Sequence, residues 1–266
     1  MRLRQLLLIF CALYAASAQL PMIGFSGGGG GTRDGGFQGT ATFSLQRRTL
    51  PAVLHAPFYG EPKNETSRTL PDGTHINRVA PDRGIKVWRD SQGRVRIEQS
   101  FSALRRANVP TLVEIDDPAA GQIYILDSAT KTAHRVKVAV MPERDLEKIA
   151  AARGMVVGVG PLPARSEDLG AQIIDGVTVH GTRTTRVDQP GAAGNDAPIA
   201  VTTETWFSTE LDLAIRTIIN DPRSGTQTNS VVNLSRAEPD SSLFLPPVEY
   251  TVVDESGEFT LRWGGK

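Results

Sequence analysis

The chain has 266 residues, 39% hydrophobic and 22% charged, with 29 Lys and Arg against 29 Asp and Glu. That balance excludes the basic footprint that nucleic-acid binding or a polybasic membrane contact requires. The single cysteine, Cys11, excludes a disulfide framework and a thiolate metal site.

Met1 to Ala18 begins with Arg2 and Arg4, continues as an apolar run from Leu6 to Ala16 and ends on Ala16-Ser17-Ala18. This is the layout of a secretory signal peptide, and the apolar run is too short to span a bilayer comfortably. A periplasmic or secreted protein is expected, with residues 1–18 removed and no transmembrane segment afterwards. Phe10 precedes Cys11 where lipoprotein processing needs a small residue, so a lipid anchor is not expected. Cleavage after Ala18 leaves residues 19–266 without cysteine and, having lost Arg2 and Arg4 and no acid, with a formal charge of −2.

Residues 19–56 are Gly-rich, with the run Gly27 to Gly31 and then Asp34-Gly35-Gly36. Poly-glycine has a high ordering entropy and no side chains to bury, so a flexible tether is expected. No Gly-Lys-Ser/Thr follows, so these glycines do not cradle a phosphate.

A folded domain is expected over 57–254, with a tail over 255–266. Strands are predicted at Pro57 to Leu70, Thr74 to Val79, Gly84 to Asp90, Arg94 to Ser100, Thr111 to Asp116, Gln122 to Leu126 and Thr132 to Val140. A second group covers Ala171 to Ile174, Val177 to Asp188, Ile199 to Ser208, Leu213 to Asn220 and Thr226 to Arg236. The connections Pro71-Asp72-Gly73-Thr74, Asp90-Ser91-Gln92-Gly93, Asp117-Pro118-Ala119-Ala120-Gly121, Asp175-Gly176 and Asp221-Pro222-Arg223-Ser224-Gly225 read as hairpin turns. In them Asp bonds its own backbone, Pro presets φ and Gly takes positive φ.

In Arg94-Val95-Arg96-Ile97-Glu98 apolar and charged residues alternate, which describes a half-buried strand. Ile123-Tyr124-Ile125-Leu126 and Leu213 to Ile219 are apolar on both faces, so something must cover each side. One expected cover is a helix over Pro142 to Arg153, with Pro at its start, acids in the first turn, cations in the last and Gly154 beyond. Leu146, Ile149 and Ala150 form its apolar stripe. Met155 to Pro163 reads as a loop. A one-turn helix is predicted at Pro239 to Phe244, capped by Asp240 with Leu243 and Phe244 turned inward. Gly191 to Asn195 reads as a surface loop.

No chemistry-bearing constellation emerges. His55, His75, His134 and His180 lack metal-ligand spacing, and no Gly-x-Ser-x-Gly elbow is present. Glu114 and Asp116 alternate onto what reads as a solvated strand face leading into the Asp117-Pro118 turn. The loop holding Asp188, Asn195 and Asp196 lacks periodic calcium ligands. Asn64-Glu65-Thr66 and Asn233-Leu234-Ser235 match the glycosylation triplet by chance in a chain of bacterial style. No catalytic residue, metal or cofactor is expected. The strand aromatics Trp88, Tyr124, Trp206 and Phe207 suit a core or an apolar cleft.

The segments Trp88 to Arg96, Asp117 to Asp127, Trp206 to Leu211 and Glu238 to Phe244 together resemble a group of exported acidobacterial proteins. That group is distantly similar to lipoprotein carriers of the LolA/LolB type and to the sensors MucB and RseB. The resemblance spans about residues 57–252. It implies a mainly β, α+β fold: a curved antiparallel sheet or half-open barrel around one main helix, in a single domain. It also implies an apolar concave face able to hold acyl chains. The expected function is an exported, non-catalytic binding protein holding a lipid, lipopeptide or other apolar ligand, in envelope maintenance or sensing. The alternative is an envelope interaction protein with a filled barrel and no ligand. Partners are then a lipid or lipoprotein acyl chain, or an envelope protein. The cleft residues under the first reading are Trp88, Tyr124, Leu146, Ile149, Trp206 and Phe207.

Overall fold

The computed structural model describes residues 25–31, 37–43, 48–79, 84–101, 109–142 and 165–263. The expected signal peptide, the expected helix at Pro142 to Arg153 and the loop at Met155 to Pro163 therefore fall essentially outside the described residues.

Regular structure among the described residues is almost entirely strand, so the fold is mainly β as expected. The strands are β1 (Phe25–Gly31), β2 (Phe37–Phe43), β3 (Arg48–Thr49), β4 (Phe58–Thr69), β5 (His75–Val79), β6 (Lys86–Arg89), β7 (Val95–Ser100), β8 (Thr111–Asp117) and β9 (Gln122–Asp127). They continue with β10 (Thr132–Lys137), β11 (Ala139–Val140), β12 (Arg165–Ile174), β13 (Val177–Asp188), β14 (Ile199–Ser208), β15 (Leu213–Asp221), β16 (Gly225–Ser235), β17 (Thr251–Glu255) and β18 (Phe259–Trp263). All described pairings are antiparallel except β10 with β17 and β3 with β11.

The hairpin turns form by the chemistry their residues carry. Asp72 Oδ1 accepts from the Thr74 amide, Asp90 Oδ1 from the Gln92 and Arg94 amides, Asp117 Oδ1 from Ala120 and Asp221 Oδ1 from Arg223. Asp175 and Gly176 both take positive φ, the backbone of a two-residue hairpin turn.

The chain divides into two compact units, cut within β4 after Glu61 and within β16 after Asn233. The first unit holds the strand order β12-β13-β14-β15-β16, then the Pro62–Thr69 part of β4, to which β5 pairs. Its described regular structure is strand only.

The second unit holds the strand order β4-β6-β7-β8-β9-β10-β17 and a smaller sheet, β1-β2-β18. Here β9 shows why a doubly apolar strand needs two covers. Ile123 and Ile125 join a core with Leu112, Val136, Ala41, Phe43, Phe259, Leu261 and Trp263, so the small sheet lies over that face. Phe43 stacks on Phe259 at 5.0 Å between centroids and Phe101 meets Trp263 at 4.6 Å. Tyr124 and Leu126 join the opposite core with Ile115, Ala133 and Phe244.

Phe244 comes from a 3-10 helix at Ser241–Phe244, whose cap Asp240 accepts from the Ser242 amide. The one-turn helix thus forms where the sequence places it, with Phe244 1% exposed. It is held from several sides. Glu238 accepts from the Ser91 amide at 3.0 Å, Arg96 Nη1 donates to the Leu243 carbonyl at 3.0 Å, and the Arg94 guanidinium lies 5.1 Å from the Phe244 ring centroid.

Three sequence expectations differ from this structure. The Gly-rich segment read as a tether contains β1 and β2, paired from Phe25↔Phe43 to Gly31↔Phe37. Pairing satisfies the backbone of a run that has no side chains to offer, while Ala41 and Phe43 supply the burial. Residues 255–266, read as a tail, contain β18, whose Phe259, Leu261 and Trp263 point into the core and Thr260 and Arg262 outward. Finally, Glu114 and Asp116 are not on a solvated face: they are 4% and 2% exposed. Their strand face is the one that β2 and β18 cover, so the solvated reading is overturned.

Candidate functional site

Trp88 and Tyr124 meet in the second unit, in the core closed by Phe244; Tyr124 is buried and Trp88 half-buried at its border. Trp88 also packs at 5.2 Å on Tyr59, whose hydroxyl donates to Glu61. Burial first, and then the Glu61 carboxylate, push the Tyr59 phenol up to about 12. Own-chain side chains occupy this face of β6 to β9.

Trp206 and Phe207 lie on β14 in the first unit, and Leu146 and Ile149 fall outside the described residues. Gly181 on β13 is the register partner of Trp206, and the Trp206 ring occupies the space a Cβ on Gly181 would need. Across the next strand pair Trp206 faces Arg216. On the same side Arg183 grips Glu204 through Nε at 2.9 Å and Nη2 at 2.7 Å, and Glu167 through Nη1 at 3.2 Å. These carboxylates raise the Arg183 pKa, fixing its charge. A register shift between Trp206 and Phe207 gives β15 one residue more than β14, and Leu213, Ala214 and Ile215 are buried in succession beside it. Trp206, Phe207, Ile218 and Ile219 remain only half-buried.

The other face of β13 to β16 carries a feature that the sequence did not reveal. Thr182, Thr205, Thr217 and Asn229 are register partners in one row across four strands. At its end Asn229 accepts a hydrogen bond from Asn64. In its middle, Thr205 and Thr217 are 6% and 2% exposed, and neither hydroxyl has a hydrogen-bond partner among the described residues. Val201, Ile219 and Val231 share this face. Only the register could have revealed the row, since Thr203-x-Thr205 and Thr182-x-Thr184 read alone as ordinary strand alternation.

Asp116 is the other buried polar group of note. Thr49 Oγ1 donates to its Oδ2 at 2.5 Å while Oδ1 is buried without a partner among the described residues. Desolvation raises its pKa to about 6, against the hydrogen bond from Thr49 and assisted by the neighbouring Asp117 charge. Among the described residues no three His, Cys, Asp or Glu side chains come together as a metal site. His134 pairs with Glu255 at 2.6 Å and stacks on Phe259, and His180 pairs with Asp168 at 2.9 Å on an exposed surface. No helix among the described residues is long and apolar enough to cross a membrane.

No family model matches the chain, and no curated protein does. Solved structures do. The chain is similar to MucB in the MucA/MucB complex of Pseudomonas aeruginosa at 13% identity, over 74% of this chain and 58% of that one, with a TM-score of 0.35. It is similar to a LolA superfamily protein of Nitrosomonas europaea at 8% identity, over 73% of this chain and 92% of that one, with a TM-score of 0.26. It is also similar to the lipoprotein LppX of Mycobacterium tuberculosis at 10% identity, over 68% of this chain and 88% of that one, with a TM-score of 0.25. The chain spans little more than half the length of the MucB structure in that complex.

Proposed function

We propose that this is an exported, non-catalytic binding protein whose β12 to β16 unit holds an apolar or amphiphilic ligand, such as the acyl chain of a lipid or lipopeptide. One observation carries the reading. Phe207 and Ile219 stay only half-buried on the face of β14 and β15 that carries Thr205 and Thr217, in strands flanked on both sides within their sheet, and Trp206 and Ile218 stay so on the opposite face. Apolar side chains in the middle of a sheet ordinarily gain about 25 cal/mol per Å² by being covered, so the Phe207 and Ile219 face has burial still to gain from an occupant. On the described strands Phe207 is the proposed contact residue of that face and Trp206 of the opposite one. The role is envelope maintenance or sensing after export through residues 1–18. Native mass spectrometry of the protein purified from its own envelope tests the reading: a co-purifying acyl mass is expected, and a clean apo mass overturns it.

The second unit favours the alternative, an envelope interaction protein with no ligand. Its β9 is covered on both faces by the chain's own residues, and Trp88 and Tyr124 pack under Phe244. Under this reading an envelope protein is the partner and the same mass spectrum stays empty.

A further inference from the structure

We infer that Thr205 and Thr217 form a hydrogen-bond clamp for a carbonyl oxygen of an acyl ester; the inference rests on the amphiphile-binding reading above. The two threonines are direct register partners on β14 and β15. Residues placed so have Cβ atoms roughly 5 Å apart, which lets both hydroxyls reach a single atom lying between and above them. A carbonyl oxygen has two lone pairs and can accept from both.

Three observations point to a ligand of this chemistry. Both residues are more than nine-tenths buried and neither hydroxyl has a partner among the described residues, a costly state for a polar group that isosteric valine would avoid. The flanking members of the row are uncharged, Thr182 on one side and Asn229 on the other, and Asn229 already accepts from Asn64. Along the two strands the nearest apolar side chains of that face are Phe207 beside Thr205 and Ile215 and Ile219 beside Thr217, which suits a neutral carbonyl attached to a chain better than a carboxylate or phosphate. An anion would be desolvated there with no cation on the row to meet it.

Thr205→Val/Thr217→Val removes both hydroxyls and keeps the shape. The full chain and the variant are titrated with monolauroylglycerol and with its dodecyl ether analogue, which lacks the carbonyl, by displacement of anilinonaphthalenesulfonate. Two net hydrogen bonds predict roughly tenfold tighter binding of the ester by the unmodified protein. The variant loses that preference while its ether affinity is unchanged, and without ligand it melts at a higher temperature. Equal affinity of the unmodified protein for ester and ether overturns the clamp and leaves apolar binding standing. Binding of neither overturns the clamp and the amphiphile reading together. A preference that survives in the variant assigns the carbonyl contact elsewhere and overturns the inference. If the double variant does not fold, the ester and ether comparison on the unmodified protein still decides.

Discussion

Tyr124 and Ile125 are consecutive residues buried in different cores, Tyr124 beneath Phe244 and Ile125 beneath the sheet that carries Phe43 and Leu261. A strand presents alternate side chains to opposite faces, so one apolar strand can anchor two layers. Ile125→Ala is expected to cost about 2–5 kcal/mol and Phe244→Ala about 3–5 kcal/mol, from lost burial and the cavities left behind. Because the two residues share no cluster, the double variant should show the sum of the two costs to within about 0.5 kcal/mol. Urea denaturation of the three variants checks this, and strong non-additivity would mean that the two layers are one core.

Asp116 should make stability fall with rising pH. Its carboxyl sits at about 6 in the folded protein against 3.8 for an unperturbed aspartate. Between those values the folded state holds a proton that the unfolded state has released, so the contribution is present below about pH 4 and is lost as pH rises through about 6. The difference is on the order of 3 kcal/mol. Asp221 and Glu238, whose pKa values are lowered by Arg223 and Ser91, act in the opposite direction, so the comparison must be between the protein and its Asp116→Asn variant. The variant should gain relative to the parent as pH rises, read as urea midpoints at about pH 4 and about pH 7. A constant gap between the two proteins across that range would show that Asp116 is ionised when folded.

Most strands of both units were legible because their turns are spelled by Asp and Gly and their faces by alternation. The 3-10 helix was legible through Asp240 and the inward pair Leu243 and Phe244. What escaped the sequence depended on pairing partners far along the chain. Gly27 to Gly31 forms a strand because β2 is there to bond its backbone, and Phe259 to Trp263 forms one because Ala41 and Phe43 lie opposite. Glu114 and Asp116 alternate like a wet face, but the small sheet turns that face inward. The site was half legible for the same reason. Aromatic residues announce themselves, and Trp88 and Tyr124 do meet, whereas the Thr205 and Thr217 pair exists only once β14 and β15 are aligned.

Gly93 should tolerate substitution worse than Gly73. Both take positive φ, +79° and +84°, so alanine at either meets the same backbone penalty of roughly 1 kcal/mol. A Cβ at Gly73 would meet nothing within 4 Å, while one at Gly93 would lie 2.8 Å from the Ala52 Cβ. The strand-connecting segment before β4 is held against this turn, with the His55 amide donating to the Ser91 carbonyl at 2.9 Å and Arg89 Nε to the Ala56 carbonyl at 2.9 Å. Gly93→Ala should therefore cost about 1–3 kcal/mol beyond Gly73→Ala, the cost of overpacking, measured as the difference of their unfolding free energies. Equal costs would mean that residues 51–56 yield freely.

Gly181 keeps the Trp206 ring in place by having no side chain, and this gives a way to separate a binding aromatic from a packing one. Gly181→Ala puts a Cβ where three ring atoms of Trp206 lie, so the ring must turn away from β13. Relief by such a turn limits the loss of stability to about 1–3 kcal/mol. The Trp206 emission, taken as the difference between a parent and its Trp206→Phe variant, should shift to the red as the displaced ring meets water. If Trp206 contributes to the ligand surface, the affinity for anilinonaphthalenesulfonate should fall in step with that shift. Tyr59→Phe, which removes a hydroxyl donated to Glu61 in the other unit, should leave the affinity unchanged. A red shift with unaltered dye affinity would make Trp206 a packing residue and remove it from the site.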